Sequence, residues 1–79
     1  MSNLVRLITQ NAVPAVIVKP FMKEWRVEHC DVLCDEAATL HEALLLAKNW
    51  SESLHAATIV IKFRSGRERV ILLNLSQPH

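Results

Sequence analysis

The residues best suited to chemistry are two cysteines and two histidines near the middle of the chain: His29, Cys30, Cys34 and His41. Zinc needs four nitrogen or sulfur ligands that converge tetrahedrally, commonly one Cys pair and one His pair. Cys30 and Cys34 have a loose version of the first spacing, but the histidines do not form the second. On a strand, His29 and Cys30 also point to opposite faces. We therefore expect buried cysteines without a metal, and a small metal or Cys/His site is the third alternative for function.

Catalysis by the same residue types is not indicated. A Cys–His nucleophile pair is possible in principle, but two cysteines and four histidines in 79 residues allow such a pair by chance. The sequence has no glycine-rich phosphate loop, no recognisable carboxylate motif and no nucleophile elbow. We expect a protein that is not an enzyme and that binds no cofactor.

Positive charge collects near the end of the chain. The sequence places Lys62, Arg64, Arg67 and Arg69 around the only glycine, Gly66. Arginine forks suit phosphate oxygens, so these four residues are candidate phosphate contacts and a nucleic-acid-binding module is the second alternative. A net charge of +1 favours instead a solvated tip that protects an edge strand from aggregation.

Two strands are predicted in the first half of the chain. The β-branched stretch 15–19 lies between Pro14 and Pro20, which predicts a strand at a sheet edge because proline cannot donate to a ladder. Apolar and polar residues alternate over 25–29, as in a half-buried strand. The stretch 30–36 either continues this strand with a bulge or leads into a helix.

A helix follows at Thr39, which has the capping-box spacing to Glu42. The Thr39 hydroxyl is expected to accept from the Glu42 N–H, and the Glu42 carboxylate from the Thr39 N–H. Beyond this box, apolar residues recur every three or four positions, as in an amphipathic helix. They are Leu40, Ala43, Leu44, Ala47, Trp50 and Leu54. Leu45 projects from the polar side.

The last element is a β-hairpin of residues 58–64 and 67–73 around Ser65 and Gly66. A two-residue loop predicts that one face, the core face, holds Ile59, Ile61, Phe63, Val70 and Leu72, because cross-strand partners share a face. The candidate interaction face on the other side consists of Val60, Ile71 and Leu73, to which Leu45 adds an exposed apolar group. A register change of one residue would exchange the two faces.

The predicted fold is α+β: a small antiparallel or mixed sheet with one helix packed on one face, in the order strand-strand-helix-strand-strand. Residues 1–13 are an N-terminal arm, 14–75 a single domain and 76–79 a C-terminal tail. A domain of this size buries only about 60% of the surface of its unfolded chain, so a homodimer or another protein partner would help to stabilise it.

No segment predicts export or membrane insertion. The apolar start of the chain is interrupted at once by Thr9, Gln10 and Asn11, unlike a signal peptide. No apolar run approaches the roughly 18 residues of a membrane helix. Two cysteines do not make a disulfide framework. We expect a cytoplasmic protein that binds no membrane.

The order and spacing of several short motifs resemble a family of small bacterial proteins, domain of unknown function 2188. The resemblance covers about residues 16–70. The motifs are Val16 and Val18 before Pro20, Trp25 with Val27, Thr39 with Glu42 and Ala43, Ala47 with Lys48, and Gly66 with Arg67. Phe21 to Glu24 stand where the family usually has glycine. The resemblance implies the same order of elements and implies no function.

The function expected from the sequence is that of an interaction domain. Val60, Ile71 and Leu73 would lie on the sheet face away from the helix, and a contiguous exposed apolar patch usually marks an interaction site. Self-association or the docking of a protein partner through this face is therefore the first prediction.

Overall fold

The computed structural model describes residues 13–74 as a five-stranded sheet with one helix on one of its faces. The elements are β1 Val16–Phe21, β2 Glu24–His29, β3 Val32–Ala37, α1 Leu40–Leu54, β4 Thr58–Lys62 and β5 Glu68–Leu72. The predicted α+β class with a mixed sheet is confirmed, and the stretch 30–36 contributes an additional strand, β3. The predicted arm and tail, apart from Val13, lie outside the described residues.

The strand order is β3-β2-β1-β4-β5, with β1 and β4 parallel and the other neighbours antiparallel. The prediction that the first strand lies at an edge is wrong, because β1 is the central strand. Pro20 is accommodated because β1 pairs with β4 only over residues 16–18. Pro20 lies opposite Trp25, one pair away from the closing pair of a two-residue turn. Pairs alternate between hydrogen-bonded and non-bonded positions, so Pro20 occupies a non-bonded one.

The turn between β2 and β3 explains why the sequence did not reveal β3. Cys30 and Asp31 have φ values of 52° and 64°, and they connect the paired residues His29 and Val32. Two consecutive residues with positive φ form a type I′ hairpin turn, which usually contains Asn-Gly or Asp-Gly. Cys30 and Asp31 are not such a pair, so the sequence does not indicate a hairpin at this position.

Helix α1 begins as the capping box predicts. The Thr39 hydroxyl accepts a hydrogen bond from the Glu42 backbone N–H at 3.1 Å. The second half of the prediction is corrected, because the Glu42 carboxylate accepts from the Thr39 hydroxyl at 3.2 Å and not from its backbone N–H. The helix ends at Leu54, and the next residue, His55, takes a left-handed conformation in which its N–H donates to the carbonyls of Ser51 and Glu52.

The core lies between α1 and the helix-facing side of the sheet. Its buried apolar residues are Val16, Val18, Val27, Ala37, Ala43, Ala47, Ala56, Ile59 and Ile61. The predicted apolar stripe of the helix is confirmed, because Ala43 and Ala47 are buried and the larger members of the stripe pack around them. Alanines on the helix allow it to approach the β-branched side chains of β1 and β4 closely.

The hairpin of β4 and β5 differs from the prediction by one residue. Ile59 lies opposite Ile71 and Val60 opposite Val70, and the loop has three residues, 64–66. The Gly66 N–H donates to the Phe63 carbonyl, and the Phe63 N–H to the Arg67 carbonyl. Gly66, at φ 91°, takes the left-handed position that follows a tight turn in three-residue hairpin loops. The predicted two-residue loop is therefore wrong, and the two faces of β5 are exchanged.

Ser51 is fully buried on the core side of α1, and its hydroxyl has no hydrogen-bond partner among residues 13–74. A buried hydroxyl without a partner costs free energy, and alanine has nearly the same volume and a higher helix propensity. We expect Ser51→Ala to raise the free energy of unfolding in urea by about 1 kcal/mol. A decrease would show that the hydroxyl bonds to water or to a residue outside this part of the chain.

Candidate interaction face

The helix-free face of the sheet carries an apolar patch on β1, β4 and β5. The register places Ile17 beside Val60, and Val60 opposite Val70. Leu72 lies two residues beyond Val70 on the same face. Ile17 and Val60 are half-buried, whereas Val70 is 58% and Leu72 is 78% exposed. We call these four residues the apolar patch.

Only one of the four residues predicted to form the interaction face belongs to the apolar patch. Val60 lies on the helix-free face, as expected. Ile71 and Leu73 lie on the opposite side and pack against the core, because the three-residue loop shifts the register. Leu45 is exposed on the helix beside β3 and is remote from the patch. Val70 and Leu72, assigned to the core from the sequence, take the places of Ile71 and Leu73.

The other half of the helix-free face, on β1 to β3, is covered by charged side chains that pair with one another. Lys19 lies 3.1 Å from Glu28, and Arg26 lies 3.4 Å from Glu36. The Arg26 guanidinium also stacks on the Phe21 ring, 3.5 Å from its centroid. The Arg26 Nε is buried and makes no hydrogen bond within residues 13–74, so the nearby Glu36 carboxylate and the Phe21 ring are what compensate its charge. The helix-free face is thus divided into a half with ion pairs, which also exposes Phe21 and Leu33, and a half that is apolar on β1, β4 and β5.

The four basic residues of the hairpin do not share one face. Lys62 lies on the helix-free side, 4.0 Å from Glu68. Arg64 in the loop donates to the main-chain carbonyl of Met22. Arg67 and Arg69 lie on the helix side, opposite Phe63 and Ile61. All four are exposed, but only Arg67 and Arg69 have neither an ion pair nor a side-chain hydrogen bond within residues 13–74.

The aromatic side chains near the basic hairpin pack inward. Trp25 and Phe63 meet edge to face, with ring centroids 6.3 Å apart, and both pack against the core. The Trp50 indole N–H donates to the Asp35 carboxylate at 3.3 Å. RNA-binding sheets usually expose aromatic rings for base stacking. These three rings offer no such surface, and one face of the exposed Phe21 ring is covered by the Arg26 guanidinium, so nucleic-acid binding stays a prediction that rests on the arginines.

Three of the Cys/His residues lie around the turn between β2 and β3, and the prediction that the cysteines are buried is wrong, because Cys30 is exposed and Cys34 is only half-buried. The Cys30 sulfur lies 3.9 Å from His29 Nε2, which also lies 3.2 Å from the Pro14 carbonyl. The Cys34 thiol points to the Val32 carbonyl at 3.7 Å. Within residues 13–74, no three His, Cys, Asp or Glu side chains are arranged to hold a metal ion. His41 lies on the exposed side of α1 and does not join the cluster.

The environment of Cys34 disfavours its thiolate. Burial raises the pKa of the Cys34 thiol, and the nearby Asp35, Glu28 and Cys30 raise it further, while a hydrogen bond with the His29 backbone lowers it. A nucleophilic cysteine needs the opposite, a lowered pKa beside positive charge. The geometry therefore supports a structural role for this thiol.

This pKa shift predicts a slow reaction of Cys34 with iodoacetamide, because the thiolate is the reactive form. We expect the midpoint of its rate against pH to lie higher in the folded protein than in the urea-unfolded chain, as followed by peptide mass spectrometry. Restricted access alone would lower the rate at every pH without moving the midpoint. An unchanged or lower midpoint would contradict the raised pKa.

Comparisons of the chain with protein-family models, with curated proteins and with solved structures found no match. The resemblance to domain of unknown function 2188 accordingly stays a prediction. Among the described residues, no helix is long and apolar enough to cross a membrane.

Proposed function

We propose that this chain is a non-enzymatic interaction domain that self-associates through the apolar patch of its helix-free face. The observation that carries the proposal is the contrast between the two halves of that face. On β1 to β3 the charged groups are paired, whereas Val60, Val70 and Leu72 stand side by side with the latter two largely exposed. Contiguous apolar surface of this kind is uncommon on monomers and usually marks a contact site.

A second copy of the chain is the occupant that best fits the patch. In a twofold dimer the same patch lies on both subunits, so that apolar residues meet apolar residues and the pair Lys62–Glu68 stays at the hydrated rim. Association would also stabilise a fold whose largest fully buried side chains are those of valine and isoleucine. A different protein partner, or residues 1–12 of the same chain, are the competing occupants.

The proposed setting is the cytoplasm, without membrane contact. The support for it is the free thiols of Cys30 and Cys34, because reduced cysteines are typical of the cytoplasm. The resemblance to domain of unknown function 2188 adds no activity, because it implies only the order of elements.

Sedimentation equilibrium across micromolar concentrations tests the proposal. The mass is expected to rise from the 9.0 kDa of one chain to twice that value. Because apolar contacts are not screened by salt, added sodium chloride should leave the dimer intact. A mass that stays at 9.0 kDa throughout would exclude self-association and favour another occupant of the patch.

A further inference from the structure

The two edges of the described sheet carry opposite charge. Strand β3 and the start of α1 belong to a stretch, residues 27–47, that contains no lysine or arginine. Its acidic residues are Glu28, Asp31, Asp35, Glu36 and Glu42, of which Glu28 and Glu36 are ion-paired with Lys19 and Arg26 and the others have no ion pair within residues 13–74. At the other edge, β5 and its loop carry Arg64, Arg67 and Arg69, and the one acidic residue there, Glu68, faces Lys62. We call these the acidic edge and the basic edge.

We propose that the basic edge of one copy of this chain pairs with the acidic edge of the next, so that the sheet continues from molecule to molecule. Strand directions favour this contact. Because β1 and β4 are parallel and all other neighbours antiparallel, β3 and β5 run in opposite directions. A second copy placed alongside by translation, with its helix on the same face, therefore presents β5 antiparallel to β3.

The residues along the two strands match in this arrangement. Strand β3 starts with the exposed Val32 and Leu33 and has Asp35 and Glu36 near its end, whereas β5 has Arg67 and Arg69 on either side of its first residue, Glu68, and ends at the exposed Leu72. Antiparallel pairing brings the apolar end of one strand to the apolar end of the other, and the acidic end to the basic end. Opposite charges on neighbouring strands stabilise their pairing, and like charges oppose it.

A groove beside β3 receives the arginines. It has a volume of about 400 Å³ and is lined by Glu36, Ala37, Ala38, Glu42, Leu45 and Leu46. Arg67 and Arg69 lie on the helix side of β5, the side of the sheet that carries the helix residues Glu42, Leu45 and Leu46 of this groove. Their apolar stems would cover Leu45 while their guanidinium groups reach Glu42. The exposed leucine on the polar side of the helix thereby acquires a contact.

This association differs from the proposed dimer in geometry and in salt dependence. The contact joins two different surfaces, so it leads to rings or open filaments and not to a closed pair. It depends on charge, so salt weakens it, whereas the apolar dimer persists. The edge contact does not rest on the proposed function, and either can fail alone.

The test uses two charge-reversed variants of the full chain in sedimentation velocity at low salt. One carries Arg67→Glu and Arg69→Glu and has two acidic edges. The other carries Glu36→Lys and Glu42→Lys and has two basic edges, with Glu42→Lys alone, which keeps the Arg26–Glu36 pair, as a second variant in case the double variant does not fold by circular dichroism. Each variant alone should assemble more weakly than the wild type by about tenfold or more, and a mixture of the two should restore assembly.

The results that overturn the proposal are distinct from those that overturn the dimer. Wild-type protein that forms only a salt-resistant dimer, or that stays monomeric because residues 1–12 occupy the basic edge, contradicts the edge contact. Variants that assemble as the wild type does, or a mixture that assembles no better than its components, contradict it as well. Restored assembly on mixing supports the edge contact, whether or not the apolar patch forms a dimer.

Discussion

Replacing Val70 and Leu72 with lysine is expected to raise the dimer dissociation constant by about 100-fold or more. In the proposed dimer both side chains would be covered by the partner, and lysines there would place like charges in an apolar contact. In the monomer both residues are exposed on an edge strand, so the free energy of unfolding of the monomer should change by no more than about 0.5 kcal/mol.

Met22→Lys is the matched control for this double variant. Met22 is also apolar and 76% exposed, but it lies in the turn between β1 and β2, outside the patch. Its substitution should leave the dissociation constant unchanged in sedimentation equilibrium. Equal dissociation constants for the wild type, the double variant and the control would show that the apolar patch does not form the interface.

The second large effect is expected from Ile71→Lys. Ile71 lies opposite Ile59 on the helix-facing side and packs against the core. Lysine at this position loses the apolar contacts and brings a charge to the edge of the core, so the free energy of unfolding in urea should fall by about 2–4 kcal/mol. For a domain with a total stability of about 5–15 kcal/mol this loss is severe.

Leu72→Lys is the control for Ile71→Lys, since the two residues are adjacent on β5 and point to opposite faces. It should change the free energy of unfolding by no more than about 0.5 kcal/mol. The reverse result, a stable Ile71→Lys and an unstable Leu72→Lys, would establish the two-residue loop and the register that follows from it.

Much of the fold could be predicted because several local signals agree. Thr39 and Glu42 marked the start of the helix, and the three- and four-residue spacing of Ala43 and Ala47 marked its buried stripe. The alternation around Val27 indicated a strand that buries one side. Each of these signals depends only on residues close together in the chain, so it can be recognised without knowledge of the tertiary structure.

The central position of β1 and the separate strand β3 could not be predicted in this way. The prolines around β1 suggested that it lies at a sheet edge. Its pairing with β4 depends on the arrangement of the whole sheet and does not follow from the residues of β1 alone. The turn at Cys30 and Asp31 takes positive φ values without a glycine or asparagine. Tertiary structure must hold these residues there, because non-glycine residues resist this conformation.

The interaction face depended on a single unresolved feature, the length of the loop at Gly66. Glycine is compatible with both a two-residue and a three-residue loop, and the choice exchanges the two faces of β5. Val70 and Leu72 were therefore assigned to the core, and Ile71 and Leu73 to the surface. Successive residues of β5 point to opposite faces, as predicted, and only the face assigned to each residue was wrong. Ser65, and the arginines at 64 and 67 on either side of Ser65 and Gly66, gave no further indication of the loop length.

The most direct test of the central claim is an isotope-filtered nuclear Overhauser measurement on a mixture of methyl-labelled and unlabelled full-length protein. Intermolecular contacts are expected among the methyl groups of Val60, Val70 and Leu72 if, as proposed, a second copy covers the apolar patch. If these methyl groups show contacts only within one molecule, and those contacts come from residues 1–12, the chain covers its own patch and self-association through this face is contradicted.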